Sequence, residues 1–524
     1  MEVRVLSRAS KLTLLKLFST SNTLSKAWLI AGVSLALGLC FDYFFYGKIP
    51  GIGFPIYISL VVLGLFIVST YFKRKIDRQV IWLLVPLGFF SLMVFVRSSG
   101  LLTFLNVVAS LLLLLLIARI SIAESIKNFL VSDYIKIFFL PFQFIRPFFQ
   151  TLSDLFTLCR INRDQKVLSQ VIKGIVISIP ALLIFLLLFS SADLVFQKYL
   201  SSLININIEP ETVFRTILVL MATFAFAGAY SYIFRKSQET TLQQNSKSYA
   251  VGHIESSILL GSVNILFFIF ILVQLTYLFG GESNISVQGF SYAQYARRGF
   301  FELIAVAIVS LLLLLITEKY IAKKDTEHTL LFKIFSSALI VQVILIMGSA
   351  FKRLLLYEEA YGFTTLRFYS HAFIILLAVI FCLLLYKIYK DNRENTFSFR
   401  AFISVVLFLV VMNLINPDAF IARRNIERFT ATGRLDIYYL ISLSDDAIPA
   451  NVKVLSTSNE DLKKSFAREL YWWASRTDSS LFSQWQSLNI SRINAKKILK
   501  SKMGELEQYK DYQRKNFDSV VPSE

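Results

Sequence analysis

Apolar runs about as long as a bilayer crossing alternate with short polar connections as far as residue 415, and a polar stretch follows. By the length criterion of roughly 20 apolar residues, eleven spans are predicted. They are Ala27–Phe45, Gly53–Phe72, Gln79–Val96, Leu101–Ala118, Leu168–Ser190, Thr212–Phe234, Ser257–Phe279, Phe301–Glu318, Leu330–Phe351, Phe368–Tyr389 and Phe399–Ile415. None shows the alternation of a barrel strand. Lipid demands that backbone groups be paired within the segment, so all are read as helices. The fold class is all-α, a polytopic α-helical membrane protein with a small C-terminal helical extramembrane domain.

Composition agrees with this reading. Of 524 residues, 55% are hydrophobic and 17% charged, against about 25% charged in a soluble domain. A net charge of +19 could suggest nucleic acid. The excess falls in short loops between apolar runs, as topology signals beside anionic lipid do, so membrane lipids and not nucleic acid are the expected partner. Loops placed inside when the N-terminus is inside hold roughly three times the Lys and Arg of the others. The prediction is a cytoplasmic N-terminus and an external C-terminus. The first run is expected to stay as an anchor, because about 26 residues precede it and no small-residue cleavage site ends it. Cys40, Cys159 and Cys382 are scattered and form no metal or disulfide pattern.

The predicted organisation is a cytoplasmic segment 1–26, a membrane domain 27–415, an external helical domain 416–505 and a solvated tail 506–524. Within the membrane domain, Val131–Gln150 carries six phenylalanines, and Pro141 and Pro147 forbid one regular helix. It is read as a broken amphipathic segment in the inner interface, with Lys136 and Arg146 towards headgroups. Ala192–Ile208 is read as a short interfacial helix on the outer side. In the last part, Asp436, Ser444 and Asp446 are candidate N-caps, and Pro449 fits an early helical position. Trp472, Trp473 and Trp485 are its expected core, with Trp472 and Trp473 alternatively on the membrane surface.

Three connections expected on the outer face are richer in polar chemistry than linkers need to be. In Gly289–Leu303, Tyr292, Tyr295, Arg297 and Arg298 precede a span that carries Glu302 one turn inside, where Arg298 could neutralise it. Arginine's planar donor fork could hold an anion there; an interfacial anchor is the plainer alternative. In Ser349–Arg367, Arg353 and Arg367 bracket Tyr357, Glu358 and Glu359. Adjacent carboxylates can do acid–base or metal work if shielded, whereas ion pairing within the loop layer asks for less. Asn413–Pro449 brings Asp418, Arg423, Asn425, Arg428 and Asp436, and a surface helix on anionic lipid accounts for these as well as a ligand site does.

The runs YAQYARRGFFEL, SAFKRLLLYEEAYGFTTLR and NPDAFIARRNIERF followed by GRLDIYYLISLSDDAIP, with DYFFYGKIPGIGF at Asp42–Phe54, resemble the motifs of a family of bacterial integral membrane proteins known as domains of unknown function 4153 and 4173. The likeness covers most of the chain in order. After Pro449, where the family pattern has Ala-Leu, this chain has Ala450-Asn451, and beyond there the match is loose. The resemblance implies a bacterial inner-membrane protein and carries over no catalytic residue.

No P-loop, HExxH, GxSxG or Cys/His metal spacing is present in the sequence, so no catalytic residue, metal or cofactor is assigned. The first functional reading is a non-enzymatic envelope protein whose outer loops and external domain bind a lipid or an envelope protein. A transporter or channel is the alternative. A water-filled cavity lined by Asn106, Asn264, Gln274 and Gln342 would favour it, although midplane carboxylates and paired helix breaks are scarce. A membrane-embedded transferase on lipid-linked substrates, with Glu302, Glu358 or Glu359 as base, is the weaker alternative.

Overall fold

A computed structural model describes residues 2–122, 125–155, 210–235, 253–279, 300–320, 326–390, 394–476 and 484–512, in which helices connect by short turns and no strand occurs. The helices are α1 Glu2–Phe45, α2 Gly53–Tyr71, α3 Arg78–Val96, α4 Gly100–Ile120, α5 Val131–Ile137, α6 Leu140–Gln143, α7 Ile145–Leu155, α8 Pro210–Arg235 and α9 His253–Phe279. They continue as α10 Phe300–Tyr320, α11 Thr326–Tyr361, α12 Thr365–Lys390, α13 Glu394–Ile415, α14 Pro417–Thr432, α15 Ile437–Ser442, α16 Ile448–Asn451, α17 Glu460–Arg476 and α18 Ile490–Glu507.

Ten helices among the described residues are long and apolar enough to cross a membrane. They correspond to ten of the eleven expected spans. The remaining one, Leu168–Ser190, and the expected interfacial helix Ala192–Ile208 lie outside the described residues. Two helices run further than hydropathy foretold. With no proline or glycine before Gly32, α1 extends through the N-terminal segment to Glu2, and α11 continues ten residues past Phe351 to Tyr361. Hydropathy reports where lipid is tolerated, and a polar helical turn beyond the bilayer is invisible to it.

The membrane helices build two buried apolar clusters. The first unites α1–α8, with α1 lying along α8. Gly38 permits that approach, because a Cβ there would stand 2.3 Å from Thr223 Oγ1; small residues set close packing where no hydrophobic driving force acts between helices. The second cluster unites α9–α12. Helix α13 serves both, giving Leu409 and Met412 to the first and Phe397 to the second.

Hydrogen bonds assign helix ends to two sides. At one, Arg215 at the start of α8 holds Asp42 at the end of α1 (2.6 Å), and the backbone N–H of Ile52 donates to Leu488 of the C-terminal helices (2.8 Å). At the other, Arg74 donates to Ile233 O near the end of α8 (3.2 Å), and Lys26 lies over the Phe72 ring. The first is called the capped end below and the second the basic end. The Val131–Gln150 segment breaks into α5, α6 and α7 at the basic end, with Pro141 in the first turn of α6 and Pro147 in the first turn of α7. Phe138, Phe139, Phe142 and Phe149 are exposed on it.

The C-terminal helices α14–α18 enclose a third cluster, built on Ile421, Leu440, Ile448, Phe466, Leu470 and Leu499. The expected tryptophan core is not its centre. Trp472 and Trp485 are each near 45% exposed, and only Trp473 packs against the cluster. Trp485 turns towards Tyr43 and Phe44 at the end of α1 instead. The short turn 485–487 sits so close to Gly51 that a Cβ there would meet Leu488 O at 2.4 Å.

Candidate functional site

Chemistry concentrates at the capped end, where the connection between α11 and α12 meets α14. Helix α11 ends because Gly362 takes a left-handed φ of +87°. The next residue, Phe363, is held by one side chain: its N–H donates to Asn425 Oδ1 and its C=O accepts from Asn425 Nδ2, both at 2.8 Å. Asn425 therefore pairs with backbone as a strand would. Arg428, one turn on, donates to Glu359 O (2.9 Å). Arg367 donates to Gly362 O (2.5 Å) and lies 4.0 Å above the Tyr357 ring. Tyr439 of α15 accepts from Thr365 N (2.6 Å), and Asp436 caps α15 by accepting from Tyr439 N. The two expected loops thus converge on one network through Tyr357, Arg367, Asn425, Arg428 and Asp436. Replacing Asn425 by leucine should lower stability by about 1–3 kcal/mol, the penalty for stranding buried polar groups. Thermal unfolding of the purified protein measures it, and a change below about 0.5 kcal/mol would show that the clamp is ornamental.

The neighbouring carboxylates Glu358 and Glu359 do not act as a pair. Successive helical residues point about 100° apart, so Glu358 is buried at 2% exposure and Glu359 faces out. Glu358 Oε1 lies 3.3 Å from His371 Nδ1, and His371 Nε2 is 3.3 Å from Phe351 O. Close by, Gln274 Oε1 of α9 accepts from Ser349 Oγ (2.6 Å) and Arg353 Nη2 (2.9 Å). This polar cluster between α9, α11 and α12 contains the candidates Arg353 and Glu358. The other polar span residues lie elsewhere. Asn106 and Asn413 exchange two amide hydrogen bonds at 2.8 Å in the first cluster, whereas Asn264 donates to Phe335 O between α9 and α11. Asn106 and Asn264 therefore do not face a common cavity.

Of the Gly289–Leu303 motif, Tyr292, Tyr295, Arg297 and Arg298 lie outside the described residues. Glu302 is exposed in the first turn of α10. Arg423 is exposed and donates to Ala419 O (3.1 Å), while Arg424 pairs with Glu427. Asp418 is buried, with Oδ2 accepting from Ser444 N (3.3 Å).

The dominant polar hub is Asp446, which sequence reasoning assigned to capping its own helix. Its carboxylate instead reaches the loop between α3 and α4. Oδ2 accepts from Ser98 N (2.7 Å), Ser98 Oγ (3.1 Å) and Ser99 N (3.0 Å), and Oδ1 accepts from Ser491 Oγ (2.5 Å). Arg97 stands 3.7 Å away and donates through Nε and Nη2 to Asn413 O (3.0 and 2.7 Å). Asn489 donates to Val94 O and Arg97 O. A carboxylate at the amide-rich start of α4 also answers the helix dipole, so a residue of the C-terminal helices caps a membrane helix. Beside it, burial raises the Asp445 carboxyl above the usual range, and the Arg492 guanidinium at 3.7 Å opposes that rise.

Among the described residues, no group of three or more His, Cys, Asp or Glu side chains is placed to hold a metal ion. The arrangement defines a polytopic α-helical membrane protein whose C-terminal helices are latched onto the ends of its spans. The chain belongs to the family described as Domain of unknown function (DUF4153), whose model matches residues 84–454, from within α3 to the turn after α16. No curated protein and no solved structure matches it. The matched region holds both converging loops and Asp446; Asn489 and Ser491 lie beyond it.

Proposed function

We propose that this is a non-enzymatic protein of the bacterial inner membrane, with a cytoplasmic N-terminus and external C-terminal helices, whose capped end is a docking surface for an anionic envelope partner, lipid or protein. The observation that carries the reading is the gathering of cations there. Burial, and then the guanidinium groups of Arg434 and Arg367, hold Arg428 below its ordinary pKa. Arg423 and Arg434 are exposed nearby on and just after α14. Cations gathered in this way attract an anion that arrives. The hydrogen bonds described above fix this surface to the span ends, which makes it a rigid platform.

The basic end supports this orientation, since it carries Lys26, Lys73, Arg74, Lys75, Arg78, Arg119, Lys127, Lys136 and Arg146. Alkaline phosphatase fused after Glu524 should be active and a fluorescent protein that folds only in the cytosol should stay dark. The reverse pair of results would move the platform to the cytoplasm. Docking is tested by native mass spectrometry of the purified protein. An anionic lipid or envelope protein should co-purify and be lost from the Arg423→Glu/Arg434→Glu double variant. Retention undiminished by charge reversal rejects the docking surface.

A transporter is the second reading, favoured by one observation: Arg353, Glu358 and His371 are ionisable groups gathered with Gln274 between α9, α11 and α12, and such residues between membrane helices commonly mark a pathway. Uptake of a solute into proteoliposomes that Glu358→Gln abolishes would select it.

A further inference from the structure

The lipid-facing side of α11 and α12 holds a groove of about 760 Å³ that the capped-end surface does not use. Its walls are Ile344, Met347 and Phe351 of α11 and Ile375, Val379 and Tyr386 of α12, its floor is Gly348, and it ends on Arg400 of α13. A side-chain carbon added at Gly348 would meet no atom within 4 Å, so space stands open above the glycine.

Three features identify an occupant. The first is length. From Ile374 to Tyr386 the wall runs about 18 Å at the helical rise per residue, close to the roughly 15 Å of one leaflet's hydrocarbon. The second is chemistry, since the lining is aliphatic and aromatic as far as its polar end. The third is charge. Arg400 lies inside a membrane-spanning window and is exposed. Its guanidinium lies 5.1 Å from the Tyr386 ring, and no described carboxylate is within ion-pair distance of it. A lipid-facing guanidinium within a span is unfavourable without a counter-charge, whereas a phosphate accepts its donors bidentately.

We propose that this groove binds one anionic phospholipid of the leaflet at the basic end, with an acyl chain along α11 and α12 and the headgroup phosphate on Arg400. The site is at the opposite end from the proposed docking surface and stands without it. The lipid would cover the seam where α11, α12 and α13 meet, binding part of the second helix cluster to the shared helix.

The test uses the full chain, delipidated in detergent and titrated with phosphatidylglycerol or with phosphatidylcholine of the same acyl chains, adducts being counted by native mass spectrometry. Phosphatidylglycerol should bind the wild type about tenfold more tightly. Arg400→Gln should erase the preference while leaving weak binding of both lipids. Gly348→Leu keeps the charge and extends a side chain into the groove from a position where its first carbon meets no atom within 4 Å, and should weaken both lipids about tenfold. Glycerol phosphate, which has the headgroup charge and no chain, should not displace the lipid. Equal binding of the two lipids to the wild type, a preference that survives Arg400→Gln, or unchanged binding by Gly348→Leu would each overturn the assignment. Displacement by glycerol phosphate would do the same, by showing a phosphate site instead of a lipid site.

Discussion

Replacing Asp446 by alanine is expected to destabilise the protein by about 3–5 kcal/mol, the range for removing one member of a buried charged network. The loss strands the amides of Ser98 and Ser99 and leaves Arg97 without its carboxylate, while the Ser491 hydroxyl keeps Val96 O as an acceptor. Asp446→Asn keeps the shape and one acceptor oxygen and should cost about half as much. Limited proteolysis should show where the damage falls, with α17 and α18 released before the spans are cut. If Asp446→Ala costs less than about 1 kcal/mol in thermal unfolding, the C-terminal helices are held by apolar contact and the carboxylate is incidental.

The second large effect is at the basic end. Lys387 Nζ lies 2.6 Å from Glu318 Oε2, joining α12 to α10, and both side chains are largely covered. Lys387→Met leaves a carboxylate at the membrane edge with no cation and should cost about 3–5 kcal/mol. The double variant Lys387→Met/Glu318→Leu removes both charges and should recover most of that, because replacing a buried pair by apolar side chains is often neutral. A double variant as unstable as the single one would mean that packing lost at Lys387, and not the orphaned charge, sets the cost; the coupling energy of the cycle separates the two.

Much of the membrane architecture could be read from the chain because a span answers one local question, whether some 20 consecutive residues tolerate hydrocarbon. Phe301–Glu318 was legible to the residue for that reason. The break of the aromatic segment at Pro141 and Pro147 was equally local. The site was half legible. Arg367, Asn425 and Arg428 stood out as polar groups in connections that had no evident need of them, and they do meet. What stayed hidden was partnership across distance. Nothing near Asp446 says that its donors are Ser98 and Ser99, 348 and 347 residues away, and nothing near Asn413 points to Asn106. The tryptophans misled for a related reason: a large aromatic is a good core candidate on average, yet Trp485 has the end of α1 beside it, and that neighbour comes from the far end of the chain.

The position of Asp446 also sets a timetable. Chains are synthesised at roughly 5–20 residues per second, so the amides at the start of α4 wait about 20–70 s after leaving the ribosome before their cap exists. Through that interval the connection between α3 and α4 must be satisfied by water or headgroups, and the carboxylate then displaces them. The latch is thus a late event that closes over spans already in place, and a chain cut short before Asp446 would keep its membrane helices while never completing the structure that joins its two ends.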